Sequence, residues 1–316
     1  MLRNGFCLAR TGIKYRGYSI QALKLRLINT ALRLFQLLPL PLAHATGSVT
    51  GWLLYVFPSK SRQITRRNLE LCFPEKSVAE IKQLTLQSLQ ETAKTAIELG
   101  RIWLDPVPEV LKLITNVVDG DVMREAVDAG KGVLLLAPHL GSWELYGLHI
   151  SNYAPTTYMY KPPKVQAFEA VMTGFRARGG ATLVPTDRRG VMQLLKALER
   201  GEIVGILPDQ EPNRSSGIFA PFFGIDALTM TLASKLAAKT DAAVVCGFAR
   251  RLADSSGFEI IYKAADRDIA SEDASVAAAA LNRTVEACVL LEPAQYQWEY
   301  KRFSKRPPGE SKKIYS

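Results

Sequence analysis

The chain has 316 residues, 47% hydrophobic and 22% charged, which is enough apolar material to bury a core and excludes a largely disordered protein. Its net charge of +10 is concentrated at the ends: residues 1–70 hold eleven basic side chains and one acid, residues 301–316 hold six and one, and the rest holds 23 basic and 28 acidic residues. A nucleic-acid-binding fold would carry its basic groups as a stripe on the body. The distribution therefore argues against nucleic acid and favours a mildly acidic body held against an anionic surface by its ends.

The first sixty residues divide into a basic stretch and an apolar one. Residues 1–24 lack the apolar run that a secretory signal requires, and we expect a basic tail. Residues 34–59 contain no Asp, Glu, Lys or Arg, and this is long enough to cross a bilayer. Pro39, Pro41 and a polar centre make it a poor span, however, and basic residues flank both ends. We therefore expect a helix pair in the membrane interface, with a true span or a helix packed on the protein's own core as alternatives.

Helices are expected next, because Ser77 and Glu80 have the spacing of a capping box and open an amphipathic run that Asp105-Pro106 ends. From residue 113 onward, short aliphatic runs alternate with helical patterns. The predicted strands are 113–118, 133–137, 155–160, 181–184, 203–207, 242–249 and 257–262, and the predicted helices are 121–129, 142–152, 165–178, 190–200, 229–239 and 273–290.

This alternation predicts an α/β fold, with a central mostly parallel or mixed sheet flanked by helices and an N-terminal hydrophobic, membrane-associated helical segment. The runs VLLLA and IVGIL are apolar on both faces, as central strands covered by helices are. We divide the chain into a basic tail (1–24), a membrane-associated anchor (25–60), a catalytic domain (61–305) and a second basic tail (306–316), which we expect to be solvated.

Several common catalytic motifs are missing from the sequence. It contains no GxGxxG, GxxxxGK[ST], HExxH or GxSxG, which disfavours a dinucleotide enzyme, a P-loop enzyme, a zincin and a typical α/β-hydrolase. The four cysteines are scattered, with no CxxC pair, and suggest neither a disulfide framework nor a zinc site.

His139 has the context of a functional residue. It follows a buried predicted strand through Pro138 and precedes a predicted helix, at the strand end where open α/β sheets bind ligands. Glu144 follows five residues later, and the two side chains can converge across a strand–turn–helix junction. A carboxylate that holds the histidine in one tautomer would make it a usable general base. Asp209 and Glu211 follow the IVGIL strand in the same way, and either is a candidate for that carboxylate, with Asp209 favoured.

HLGSWE (139–144) is an HX4E motif, and it resembles the signature of membrane acyltransferases that act on glycerolipids and lipid A. Four longer segments resemble the bacterial lipid A late acyltransferases, the lauroyl and myristoyl transferases that add secondary acyl chains. These segments are NLELCFPE (68–75), LLLAPHLGSWEL (134–145), ILPDQEPNRSSGIFAPFFG (206–224) and QYQWEYKRF (295–303). The resemblance covers residues 25 to about 305, nearly the whole predicted folded chain.

This resemblance implies an enzyme that moves a fatty acyl chain from an acyl-carrier-protein thioester to a hydroxyl of a lipid A precursor. It also implies a site on the cytoplasmic face of the inner membrane and no metal or organic cofactor. An acyltransferase for another acceptor, such as a lysophospholipid or glycolipid, is the nearest alternative. A non-catalytic membrane-binding relative and a thioesterase that uses the same histidine are the others.

The resemblance also suggests roles for individual residues. His139 would take the proton of the acceptor hydroxyl, while Glu144 would either support it or pair with an arginine about thirty residues further on, first Arg176 and second Arg178. Arg214 lies in a loop of small residues that meets acceptor phosphate in related glycerolipid acyltransferases. Its guanidinium and the neighbouring serine hydroxyls suit that ligand. The substrate-binding candidates are therefore Arg176, Arg178, Arg214 and Glu211.

Overall fold

A computed structural model describes residues 14–160, 166–310 and 313–315. Five helices precede the first strand, and the later helices alternate with strands. The helices are α1 (Lys14–Gln36), α2 (Leu40–Val56), α3 (Lys60–Cys72), α4 (Val78–Leu104), α5 (Val107–Leu111), α6 (Gly120–Asp128), α7 (Trp143–Tyr153), α8 (Gln166–Ala177), α9 (Arg188–Glu199), α10 (Leu232–Lys239) and α11 (Ala274–Val289). The strands are β1 (Ile114–Val118), β2 (Val133–Leu136), β3 (Thr156–Tyr160), β4 (Thr182–Pro185), β5 (Ile203–Ile206), β6 (Gly217–Phe222), β7 (Ile225–Met230), β8 (Ala243–Arg251) and β9 (Phe258–Ala264).

Seven strands form one sheet in the order β1-β9-β8-β2-β5-β3-β4, in which only the β8–β9 pair is antiparallel. Strands β2 and β5 are completely buried, since helices cover both faces of the sheet and each face carries its own apolar cluster. The predicted α/β fold with a mostly parallel central sheet is confirmed.

A separate antiparallel hairpin, β6–β7, was not predicted. Phe222 is buried at the end of β6 beside Tyr296 and Phe303. The prediction of a helix over 229–239 was wrong at its start, because β7 continues to Met230 and α10 begins only at Leu232.

Helix α4 organises the N-terminal helices. Its predicted capping box is present: the Ser77 hydroxyl accepts from the Glu80 backbone N–H, and the Glu80 carboxylate accepts from the Ser77 N–H. Helix α2 lies against α4 so closely that a Cβ at Gly51 would stand 2.3 Å from the backbone of Gln90. His44 of α2 is buried in this interface and contacts Glu98 at 2.8 Å.

The opposite sides of α1 and α2 expose the large apolar side chains of Leu23, Leu27, Leu34, Leu42, Val49, Trp52, Leu53 and Val56, and the residues that follow the two helices add Leu37 and Phe57. The alternative that the apolar segment packs on the protein's own core thus holds for one side of α2. Within the described part of the chain, none of the helices combines the length and apolarity needed to cross a bilayer.

Two terminal segments differ from the tails that we expect from the sequence. Helix α1 begins at Lys14, inside the predicted basic tail. At the other end, the Tyr315 hydroxyl contacts Asn68 of α3 and accepts from the Phe303 N–H at 3.1 Å. The expectation that residues 306–316 form a solvated tail was wrong for Tyr315, which lies partly buried on the body.

Candidate active site

The candidate site begins where two neighbouring parallel strands end. Strands β2 and β5 pair in register up to Leu136 and Ile206, and the Ala137 N–H then donates to the Ile206 carbonyl at 2.9 Å. The residues that follow both strands therefore lie side by side at the carboxyl edge of the sheet, where α/β folds place ligands. His139 and Asp209 occupy these positions.

Asp209 holds His139 through both of its oxygens. Oδ1 lies 2.9 Å from the ring Nδ1, and Oδ2 accepts from the His139 backbone N–H at 2.8 Å. Asp209 is buried, which alone would raise the pKa of its carboxyl, but the charge and hydrogen bonds of His139 outweigh burial and leave this pKa lowered. An ionised Asp209 can only accept, so the proton of a neutral His139 ring lies on Nδ1.

The other ring nitrogen of His139 faces a glutamine. The side-chain nitrogen of Gln210 lies 3.1 Å from His139 Nε2 and 3.3 Å from Oε1 of Gln297. Gln297 also bonds Glu299 with its side chain, and Glu299 accepts from the Thr92 hydroxyl at 3.1 Å. Burial raises the pKa of Glu299 against these hydrogen bonds.

The loop from His139 to Ser142 is fixed by backbone hydrogen bonds. The Gly141 N–H donates to the Gln295 carbonyl at 3.0 Å, and the Gln297 N–H donates to the His139 carbonyl at 3.0 Å. Gly141 has φ +61°, and a Cβ there would lie 2.0 Å from the Ala249 carbonyl oxygen. Only glycine fits this position, because any side chain would strain the backbone and collide with β8.

Glu144, the acid of the HX4E motif, does not support His139 in the way that Asp209 does. It lies in the first turn of α7 and accepts from Arg176 of α8, at 2.5 Å from Nη2 and 3.2 Å from Nε. The indole N–H of Trp103 donates to the same carboxylate at 3.3 Å. The two carboxylates therefore have separate partners, and Arg176 is the arginine that pairs with Glu144.

An apolar pocket lies beside this ion pair. The space within it is about 640 Å³ when open solvent is counted. Trp143 lines the pocket, and its ring meets the His139 ring edge-on with centroids 5.3 Å apart. The other lining residues are Ile102, Trp103, Ala137, Glu144, Gly147, Leu148, Ser151, Tyr158, Met159, Phe175, Arg176 and Leu207. Trp143 thus connects this apolar pocket to the histidine.

Three predicted binding residues lie in other contacts. Arg178 donates to the carbonyls of Asp105 and Ile102 at the end of α4. Glu211 accepts from the Ser304 hydroxyl and the Lys305 N–H and so holds the C-terminal segment. Arg214 is exposed and donates to the Arg306 carbonyl at 3.3 Å. The structure does not bring these residues to His139, and their predicted substrate contacts stay predictions.

Gln210 and Gln297 were not singled out in the sequence, although both lie inside segments that carry the family resemblance. Their position in LPDQ and QYQWE could have indicated a role in the site. Nothing in the sequence, however, shows that two residues 87 positions apart are in contact. Among the described residues, no group of three His, Cys, Asp or Glu side chains is arranged to hold a metal ion.

Comparison with known proteins agrees with the motifs. The family model for bacterial lipid A biosynthesis acyltransferases matches residues 17–305. The chain is 30% identical to the lipid A biosynthesis palmitoleoyltransferase of Escherichia coli over 87% of this chain and 89% of the relative. It is 29% identical to the lauroyltransferase of the same organism over 86% and 88%, and 24% identical to its myristoyltransferase over 79% and 77%. The chain therefore belongs to the bacterial lipid A biosynthesis acyltransferase family and is an O-acyltransferase.

Proposed function

We propose that the protein transfers a fatty acyl chain from an acyl-carrier-protein thioester to a hydroxyl of a lipid A precursor, with His139 as general base. One observation carries the mechanism: the His139 ring is held by the Asp209 carboxylate and lies edge-on to the ring of Trp143, which lines an apolar pocket. The family and the names of the relatives support the acceptor class, and the acyl-carrier-protein donor belongs to the proposal itself.

The reaction needs only the groups in this site and the two substrates. The acceptor hydroxyl oxygen attacks the thioester carbonyl while its proton passes to His139 Nε2. The new O–C bond forms, the C–S bond breaks, and the proton on Nε2 passes to the leaving thiolate. Asp209 accepts from Nδ1–H throughout and stabilises the imidazolium, and such general-base help is typically worth about 10²–10⁴-fold. No covalent enzyme intermediate is required, because a thioester is already reactive.

The pocket suits the acyl chain of the donor. Its lining is mostly aliphatic and aromatic, and it includes Trp143, whose ring meets that of the base edge-on. Glu144 and Arg176 neutralise each other in the wall, and their pairing fixes α7 to α8. This ion pair therefore keeps the shape of the pocket and adds no net charge to it.

The exposed apolar surface of α1 and α2 suits the membrane interface. Its large side chains would enter the acyl region of the cytoplasmic leaflet, while Lys24, Arg26, Arg33 and Lys60 would meet anionic head groups. We place the enzyme on the cytoplasmic face of the inner membrane, where acyl-carrier protein and lipid precursors are both accessible.

The lipid A mass of a deletion strain tests this function. We expect loss of one secondary acyl chain, restored by the wild-type gene and not by one encoding His139→Ala at equal protein level. An Asp254→Asn variant, which alters an exposed turn, is the matched control and should restore the secondary acyl chain of lipid A. An unchanged lipid A profile in the deletion strain would overturn the proposal.

A further inference from the structure

The nitrogen of Gln210 occupies the position that an acceptor hydroxyl must take. It lies 3.1 Å from His139 Nε2, the nitrogen whose lone pair removes the proton in the proposed reaction. An attacking hydroxyl has to donate to the same lone pair at a similar distance. In the absence of acceptor, the base is therefore already hydrogen-bonded by the protein.

The direction of this hydrogen bond is fixed from both ends. Asp209 accepts from Nδ1–H, which leaves Nε2 as an acceptor. At the other end, Oε1 of Gln297 accepts from the Gln210 amide at 3.3 Å. One N–H of Gln210 points to that oxygen and the other to His139. The Asp209 carboxylate and the Gln297 oxygen thus orient the imidazole and the amide between them.

We propose that Gln210 determines transfer over hydrolysis: its amide caps His139 Nε2 until the acceptor hydroxyl displaces it. This inference rests on the proposed function. A bound thioester beside an uncapped histidine would react with water, which would give its proton to Nε2, form the O–C bond and release the fatty acid and the thiol. With the cap in place, water has to displace Gln210 without the binding contacts that the lipid acceptor supplies. Gln297 is a positioning residue, because it holds the amide of Gln210.

The test measures two products from the full-length enzyme with lauroyl-acyl-carrier protein: free laurate without acceptor, and acylated lipid with purified lipid A precursor. Gln210→Met keeps the length of the side chain and removes the donor. We expect laurate release to rise about tenfold, the equivalent of one hydrogen bond, and to rise relative to transfer. Gln297→Met should raise hydrolysis by a smaller factor, since the cap is loosened and not removed.

Two controls separate the cap from a general disturbance. Gln90→Met removes a side chain that donates to the Ser48 carbonyl in the α2–α4 interface, and it should leave both products unchanged. The double variant Gln210→Met/His139→Ala should lose the extra hydrolysis, because the released base performs it. The cap would be overturned if hydrolysis by Gln210→Met were unchanged, or if transfer and hydrolysis fell together in this variant. Either result leaves His139-dependent transfer by the wild type intact. Absence of that wild-type transfer would overturn the proposed function, and the cap with it.

Discussion

At the scale of single residues, the site assigns different tasks to carboxylates that the sequence could not distinguish. Asp209 contacts the ring and the backbone of His139, whereas Glu144 binds Arg176 and Glu211 holds the C-terminal segment. Asp209 accepts two N–H groups at once, one with each of its oxygens. Only a carboxylate has two accepting oxygens. Its charge therefore fixes the tautomer as well as the position of the histidine.

Replacing Asp209 by Asn should lower kcat with little change in KM. The amide offers one accepting oxygen for two N–H donors, so its NH₂ group faces Nδ1 and favours the tautomer without a lone pair on Nε2. We expect a fall of about 10²–10⁴-fold in kcat. Steady-state acyl transfer measures it, with Asp254→Asn as the control that keeps wild-type kcat. A variant with kcat near wild type would show that Asp209 does not set the tautomer.

Some residues of the site could be predicted from the sequence and others could not. His139 and Asp209 were predictable because each directly follows an apolar run that reads as a central strand, and strand ends of a parallel sheet meet at one edge. Arg176 was ranked ahead of Arg178 as the partner of Glu144, and α8, which ends at Ala177, carries Arg176 to that carboxylate. The pairing of Gln210 with Gln297 depends on a tertiary contact between distant segments that no local pattern encodes.

At the scale of elements, helix α7 forms one wall of the apolar pocket, and Gly147 of this helix contributes no side chain to it. A Cβ at Gly147 would meet nothing closer than the Tyr158 hydroxyl at 3.9 Å. The sequence identified α7 and the strands around it through their apolar periodicity, but it missed the β6–β7 hairpin. That hairpin holds Gly217, Pro221 and Gly224, residues that interrupt a strand pattern.

Gly147→Leu should shorten the acyl chain that the enzyme prefers. The new side chain would fill pocket volume without a backbone collision, and leucine favours the helix over glycine. For the longest donor that the wild type uses, we expect kcat/KM to fall at least about tenfold, while the shortest donors are little affected. A panel of acyl-carrier-protein donors measures this, with Gly174→Leu on α8 as the matched control. Equal losses for all chain lengths would place the acyl chain elsewhere.

Helices α2 and α4 are joined to the sheet by a buried ion network. Arg251 at the end of β8 contacts Glu98 with two nitrogens and Glu91 with a third, and His44 of α2 contacts Glu98. The Arg251 backbone exchanges two 2.9 Å hydrogen bonds with the Gln295 side chain, whose own carbonyl holds Gly141. The network thus connects the N-terminal helices to the loop that carries His139.

Glu98→Gln should destabilise the fold by about 3–5 kcal/mol, because it leaves buried Arg251 without its main partner. Burial alone would raise the pKa of Glu98, but Arg251 and His44 lower it to about 2. Since this is below the unfolded value of about 4.3, Glu98 stabilises the fold fully above that value and loses its effect as pH falls towards about 2. Urea unfolding at several pH values checks both points.

Glu70→Gln, in an exposed pair with Arg66, should change the free energy of unfolding by less than about 0.5 kcal/mol. A Glu98→Gln effect as small as this control would contradict the account.

At the scale of the whole molecule, charge and apolar surface are concentrated at the N-terminal helices, while the body is mildly acidic. The sequence predicted this division from the absence of charge over residues 34–59. It did not predict that one side of α2 would be buried on α4, because the glycines at 47 and 51 reveal a close approach only when the partner helix is known.

The exposed side of these helices should bind anionic vesicles. Leu34→Glu with Trp52→Glu removes two large exposed apolar side chains and adds negative charge, so cosedimentation with phosphatidylglycerol vesicles should weaken by at least about tenfold. Val276→Glu, an exposed position on α11, is the matched control and should bind like the wild type. Equal binding by all three proteins would show that another surface meets the membrane.

The central claim is that His139 is the base of acyl transfer to a lipid A precursor. Its most direct test is single-turnover transfer from acyl-carrier protein to purified precursor by wild-type enzyme and by His139→Ala, with both substrates bound before mixing. We predict transfer by the wild type and a loss of about 10²–10⁴-fold in the variant, which should still fold and bind the donor. A variant that transfers the acyl chain at a rate near wild type would contradict the account.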